Sequence, residues 1–205
     1  MKTLQRAFYL RPDTLQIAQD LLGKLLVVSN ENGERVSGMI VETEAYLGEI
    51  DKAAHTYKSR RTARNEITYA VGGHAYVFFI YGMYFQFNAT CGEKDSPHVA
   101  LIRAVEPVEN IEIMRERRGK MPDKNLTSGP GKLCIALDIT RELNGEDLLG
   151  NKIWLEDHKS FSKKEIAVGT RIGIDYAEEF ATKPWRFWVK DNPFVSRNRK
   201  SNKIL

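Results

Sequence analysis

Ile40-Val41-Glu42-Thr43-Glu44-Ala45-Tyr46 is the stretch that decides the fold. Two β-branched apolar residues run into alternating Glu, Thr, Glu, Ala and Tyr, a composition that suits a strand. Side chains along a strand point alternately to opposite faces. Ile40, Glu42, Glu44 and Tyr46 therefore share one face, while Val41, Thr43, Ala45 and Leu47 share the other, smaller and more apolar. The second face suits a core. The first carries two carboxylates roughly 7 Å apart along the strand, with a tyrosine beside them. Such a face can supply a general base. It also fits an edge strand with solvated Glu residues, and this segment alone leaves both readings open.

Outward from this strand, hairpins dominate. Asn30-Glu31-Asn32-Gly33 is a turn signal between strands at 24–29 and 34–46. Ala75-Tyr76-Val77-Phe78-Phe79-Ile80-Tyr81-Gly82-Met83-Tyr84-Phe85-Gln86-Phe87-Asn88 is an aromatic run broken at Gly82. Aromatic and β-branched residues favour strands, and an isolated glycine among them marks a bend. The run reads as a buried hairpin, or as a stacking platform ending in a protruding Tyr81. Each ring that stacks on a base is worth roughly 1–3 kcal/mol. Further strands are expected at 76–81, 84–91, 99–105, 152–156, 166–174 and 185–189. Helices are expected after Asp13, which can cap a stripe of Leu15, Ala18, Leu21 and Leu22, and at 108–118 and 131–137. No regular β-α-β alternation appears, so the fold class is α+β around a mostly antiparallel sheet flanked by helices.

The 205 residues suffice for one domain with a full core or for two small ones. With no linker-like tract, one domain spanning 1–205 is expected, with a mobile basic tail over about 196–205. No apolar run approaches the roughly 20 residues that cross a bilayer, and the N-terminus lacks the apolar core of a signal peptide. Cys91 and Cys134 have no metal-type spacing and fit a reduced, intracellular compartment. His55, His74, His98 and His158 are scattered, so no metal is expected. A net charge of +4 permits phosphate binding. One basic cluster, Lys58-Ser59-Arg60-Arg61 with Arg64, lies between the two segments quoted above and could meet DNA phosphates.

Several blocks together give the chain a resemblance to the alkyladenine (3-methyladenine) DNA glycosylases, the type not built on a helix-hairpin-helix. They are Val41 to Gly48, Ala53-Ala54-His55, Arg61-Thr62-Ala63-Arg64-Asn65, Tyr76-Val77 through Tyr81-Gly82-Met83-Tyr84, and Asn88. Leu101 to Pro107, Ser128-Gly129-Pro130-Gly131-Lys132-Leu133-Cys134, Arg171-Ile172-Gly173-Ile174 and Lys183-Pro184-Trp185-Arg186-Phe187 follow. They stand in the family's order and cover nearly the whole chain. The resemblance implies one compact mixed domain with a curved sheet and a protruding hairpin. It implies a monomeric, cofactor-free enzyme of the cytoplasm and nucleoid, or of the nucleus in a eukaryote. Such an enzyme flips damaged, alkylated or deaminated purines out of duplex DNA, hydrolyses the N-glycosidic bond and leaves an abasic site.

Roles follow from the same resemblance. Tyr81, with Met83, would enter the duplex where the nucleotide leaves. Tyr46, His55 and Phe78 would stack on the flipped base. Phe78 departs from the tyrosine of the best-known members, so a hydroxyl is missing there. The Ala53 carbonyl and the His55 amide would read the purine edge, and Asn88 would crowd the 2-amino group of guanine. Glu44 would activate water and stabilise an oxocarbenium-like sugar. Arg103 and the Ile172 carbonyl would orient that water. Glu42 is the alternative base, or else an ion-pair partner of a nearby arginine. Two carboxylates at such spacing also suit a carbohydrate-type glycoside hydrolase. A DNA-binding module without catalysis is the third reading.

Overall fold

A computed structural model describes every residue except Met1, Glu31, Lys120 and 197–205; the expected mobile tail lies outside the described residues from 197 onward. Its elements run α1 (Arg6–Tyr9), α2 (Thr14–Asp20), β1 (Leu25–Ser29), β2 (Arg35–Tyr46), β3 (Ala75–Ile80), β4 (Tyr84–Cys91) and β5 (His98–Glu109). Then come α3 (Ile111–Arg118), α4 (Pro130–Leu137), β6 (Ile153–Glu156), β7 (Ile166–Gly169) and β8 (Arg186–Val189), with short 3-10 turns between several of them. The α+β class and the curved antiparallel sheet hold. The main path is β3-β4-β5-β2-β1-β6, with β8 joining β2 to β7.

The centre of this sheet is β2. Its first half pairs with β1 and its last residues pair with β8, while β5 runs along its other edge. Glu42 lies opposite Trp188 on one side and Ala104 on the other; Glu44 lies opposite Arg186 and Leu101. This overturns the edge-strand reading: both glutamates are fully buried. The opposite face is core as the alternation requires, with Val41 and Ala45 at 0 % exposure and the Thr43 hydroxyl donating to Ala18 O of α2 at 2.7 Å. Pairing between β2 and β5 slips between Ile40 and Glu42 and again between Glu42 and Thr43. The second slip passes over Arg103, so an extra residue stands opposite the two glutamates. A bulge of this kind re-aims a side chain.

Local sequence accounts for most of the boundaries. The Asp13 carboxylate accepts the Gln16 amide at 3.1 Å and caps α2, whose Ile17 and Ala18 are buried. Between β3 and β4, Tyr81 and Gly82 both have positive φ, 54° and 69°. A tyrosine held there costs about 1–2 kcal/mol relative to ordinary backbone. Two expectations fail at their ends. Residues 108–109 belong to β5, because Glu109 pairs with Ser37, and the helix starts only after Asn110 turns left-handed at φ 54°. Strand β7 stops at Gly169 instead of reaching residue 174, and Gly173 has φ +77°. That early stop releases Arg171 and Ile172 toward the end of β2.

Candidate active site

Glu44 sits at the C-terminal end of β2 with no exposed surface. Two hydrogen bonds and an ion pair hold its carboxylate. The Ile172 amide donates to Oε1 at 2.8 Å, Arg103 Nη1 lies 3.2 Å from the same oxygen, and the Tyr46 hydroxyl donates to Oε2 at 2.8 Å. An ionised carboxylate has about four acceptor positions, so one remains, on Oε2. Burial pushes the Tyr46 phenol well above its ordinary value, and the Glu44 charge pushes the same way. Tyr46 is thus a neutral donor. Ile172 meets Glu44 through its amide, a contact beyond the carbonyl role expected of it.

Tyr46, Ala53, His55, Phe78, Tyr81, Asn88, Arg103 and Ile172 line one pocket of about 100 Å³ at this end of the sheet. Glu44 is not itself a lining residue but contacts three that are, Tyr46, Arg103 and Ile172. His55 Nδ1 and the Tyr76 hydroxyl are 2.7 Å apart, and the His55 ring meets Phe78 edge-on at 4.6 Å between centroids. Part of His55 is open to solvent. Even so, desolvation of the ring, then the charges of Arg64 and Arg60, bring its pKa down to about 4. Burial likewise raises Tyr76 to about 12. His55 and Tyr76 are therefore neutral, and Arg103 is the charged residue of this lining. Tyr76 supplies a hydroxyl beside His55, so the hydroxyl missing from Phe78 is not needed to hold that ring. The Asn88 side-chain amide donates to Tyr76 O at 3.1 Å and is 2 % exposed.

Tyr81 stands at the pocket mouth, 75 % exposed at the tip of the β3–β4 hairpin. Met83 is also exposed at this tip but does not line the pocket. Glu42, the other candidate base, lines no part of it either. Its carboxylate accepts from Arg186 Nη1 at 3.1 Å and from the amide and hydroxyl of Ser196 at 2.8 and 2.9 Å. The ion-pair reading of Glu42 is the one the geometry gives. Of the basic cluster, Arg61 is tied to Glu66 and Asp95, whereas Arg64 lies over the Phe78 ring at 5.2 Å. The Ser128-to-Lys132 block opens α4, with Gly131 against the Tyr84 ring; a Cβ there would come within 3.0 Å of Tyr84 Cγ. Among the described residues, no group of three or more His, Cys, Asp or Glu could hold a metal ion.

A matching family description covers residues 7–193: methylpurine-DNA glycosylase. The chain belongs to the methylpurine-DNA glycosylase family. Three similar proteins are each provisionally named 3-methyladenine DNA glycosylase. One from Clostridium novyi (strain NT) is 49% identical, over 96% of this chain and 100% of its own. One from Alkaliphilus oremlandii (strain OhILAs) is 50% identical, over 95% and 98%. One from Bacillus cytotoxicus (strain DSM 22905 / CIP 110041 / 391-98 / NVH 391-98) is 50% identical, over 90% and 95%. A methylpurine-DNA glycosylase is a base-excision repair hydrolase of N-glycosyl bonds in DNA, so the carbohydrate-hydrolase and non-catalytic readings fall away.

Other residues of this site went unassigned from sequence. Arg171 is fully buried, its guanidinium 4.5 Å from the Tyr46 ring centre and 4.9 Å from that of Trp185. It pairs with buried Asp51, with Nη2 donating to Oδ1 at 2.8 Å, and Asp51 in turn accepts the Ala53 amide at 3.0 Å. This pair fixes the loop that carries Ala53 and one face of Tyr46. The Ala53 carbonyl accepts the Tyr176 hydroxyl at 3.4 Å, and Tyr176 lines the pocket too. A lone Asp in a loop reads as a turn residue, and its partner is 120 positions away. Nothing local marks it, although Arg171 falls within a matched block.

Proposed function

We propose that this protein takes alkylated or deaminated purines from duplex DNA, acting as a monomer inside the cell, and hydrolyses the bond to C1′ with water activated by Glu44. The observation that carries the reading is the state of Glu44. It is buried beneath the pocket, held by two hydrogen bonds and an ion pair, with an acceptor position left on Oε2. That position receives a water proton, and the carboxylate charge opposes the positive charge growing on the sugar. Arg103 and Ile172 fix the carboxylate rather than compete for the water. Tyr46, His55 and Phe78 hold the flipped base by stacking, and Tyr81, with Met83 beside it, fills the vacated stack. The 3-methyladenine in the relatives' names is the first substrate to try.

Single-turnover release of a damaged purine from a duplex tests this reading, with borohydride present in a parallel reaction. Base release without a trapped protein–DNA adduct is expected, because water is the nucleophile. A robust adduct means that an amine attacks C1′, and the mechanism is then wrong.

A further inference from the structure

Beside Glu44, the two arginines and two glutamates on the buried face alternate in charge. Arg103 reaches both carboxylates, with Nη1 3.2 Å from Glu44 Oε1 and Nε 3.4 Å from Glu42 Oε1. Arg186 Nη1 lies 3.1 Å from the same Glu42 oxygen. Side-chain exposure is 8 % for Arg103 and 0 % for Arg186, Glu42 and Glu44. Ser196, far along the chain, closes the group by donating both its amide and its hydroxyl to Glu42. Glu42 has no place in the pocket wall. Yet it forms an ion pair, without a hydrogen bond, with the Nε side of the guanidinium whose Nη1 faces Glu44.

We propose that Glu42 is a positioning residue for base release, acting through Arg103, with Arg186 and Ser196 setting how strongly it draws that guanidinium away from Glu44. The inference rests on the reading of Glu44 as the base. Arg103 stands between two carboxylates, so its hold on one depends on the charge of the other. Charges this close and this dry are felt strongly. The remaining groups that face Glu44 are few. Tyr46 on β2 is neutral, the Ile172 amide is uncharged, and Arg171, after β7, is neutralised by Asp51.

A purely structural ion pair and a positioning pair part company in the pH profile of the single-turnover rate. Glu42→Gln keeps the shape and the acceptor oxygen but removes a negative charge, so Arg103 acts on Glu44 alone. The acid limb of the profile should move to lower pH by about one unit, and the plateau rate should fall. Arg186→Gln leaves the Glu42 charge uncompensated beside Arg103, and the limb should move to higher pH. The double variant removes both charges and should bring the limb back toward the parent position. Opposite movements support the proposal. Limbs that stay put while melting temperatures fall overturn it, since a structural role lowers the folded fraction without moving the limb. If Arg186→Gln does not fold, Glu42→Gln decides alone, on the same two outcomes. Glu44→Gln run alongside separates this proposal from its premise: near-normal release there removes Glu44 as the base, whatever the limbs do.

Discussion

Replacing Glu44 by Gln removes one charge from the site with little change of shape. The amide oxygen can still accept from the Ile172 amide and Arg103, while the amide nitrogen can donate to the Tyr46 hydroxyl oxygen. What is lost is the negative charge beneath the sugar. With the carboxylate about 4 Å from a full positive charge and an effective dielectric constant near 20, the interaction is about 4 kcal/mol. That corresponds to about a thousandfold in rate. The assay is single-turnover release of hypoxanthine from a duplex, with enzyme in excess. Affinity for a duplex carrying an uncleavable abasic analogue is measured separately. Release should fall by roughly that thousandfold, with affinity within about threefold of the parent. Release within tenfold of the parent refutes the assignment. So does a loss that resides entirely in binding, because the charge would then act on the ground state rather than on the developing cation.

Tyr81→Ala should lower excision from duplexes more than from single strands, where no gap needs filling; equal losses on the two substrates would assign Tyr81 to the pocket. Asn88→Ser removes a side chain pinned to Tyr76 O, and should raise the ratio of guanine to hypoxanthine release roughly tenfold; an unchanged or lower ratio would clear Asn88 of that exclusion. His55 gives a pH effect on stability. Its folded pKa of about 4 lies below the ordinary value of 6.5, so the unfolded chain binds a proton that the folded protein refuses. Folding should weaken as pH falls from about 6.5 through 4 and show no such effect above 6.5. His55→Gln should flatten that slope in urea titrations, and an unaltered slope would show that the ring ionises freely.

Legibility followed distance along the chain. The β3–β4 hairpin was readable because its aromatics and Gly82 are contiguous, and α2 because Asp13 caps it within one turn. The central place of β2 was not. A strand buried on both faces normally reads as an apolar run, and two glutamates disguise it until their partners are known. Those partners, Arg186 and Ser196, lie 144 and 154 positions away. The extension of β5 over Val108 and Glu109 was hidden because their polarity also fits a helix, and only pairing with β2 decides. The four-residue α1 is too short to show a period. Tyr46, His55, Phe78, Tyr81 and Asn88 could be named because they fall in matched blocks. No pattern in single residues would have put them in one pocket.

The site sets a charged floor beneath a wall whose charged member is Arg103. Beneath the pocket, the carboxylates of Glu42, Glu44 and Asp51 balance the guanidiniums of Arg103, Arg171 and Arg186. This balance permits so many charges to be buried together. Of the three carboxylates, Glu44 contacts three residues of the pocket wall, Tyr46, Arg103 and Ile172. Under the proposed mechanism Glu44 would take a proton from water, and the floor would then be one positive charge in excess. Neither His55, whose pKa is brought down to about 4, nor Tyr46, whose hydroxyl already donates to Glu44, is a ready acid to match. A departing purine must therefore bring its own positive charge or take a proton from solvent. An N-alkylated purine carries that charge and leaves as a neutral base, whereas hypoxanthine does not. The proposed mechanism therefore predicts faster single-turnover release of an N-alkylated purine than of hypoxanthine from duplexes of one sequence, and equal or reversed rates would refute it.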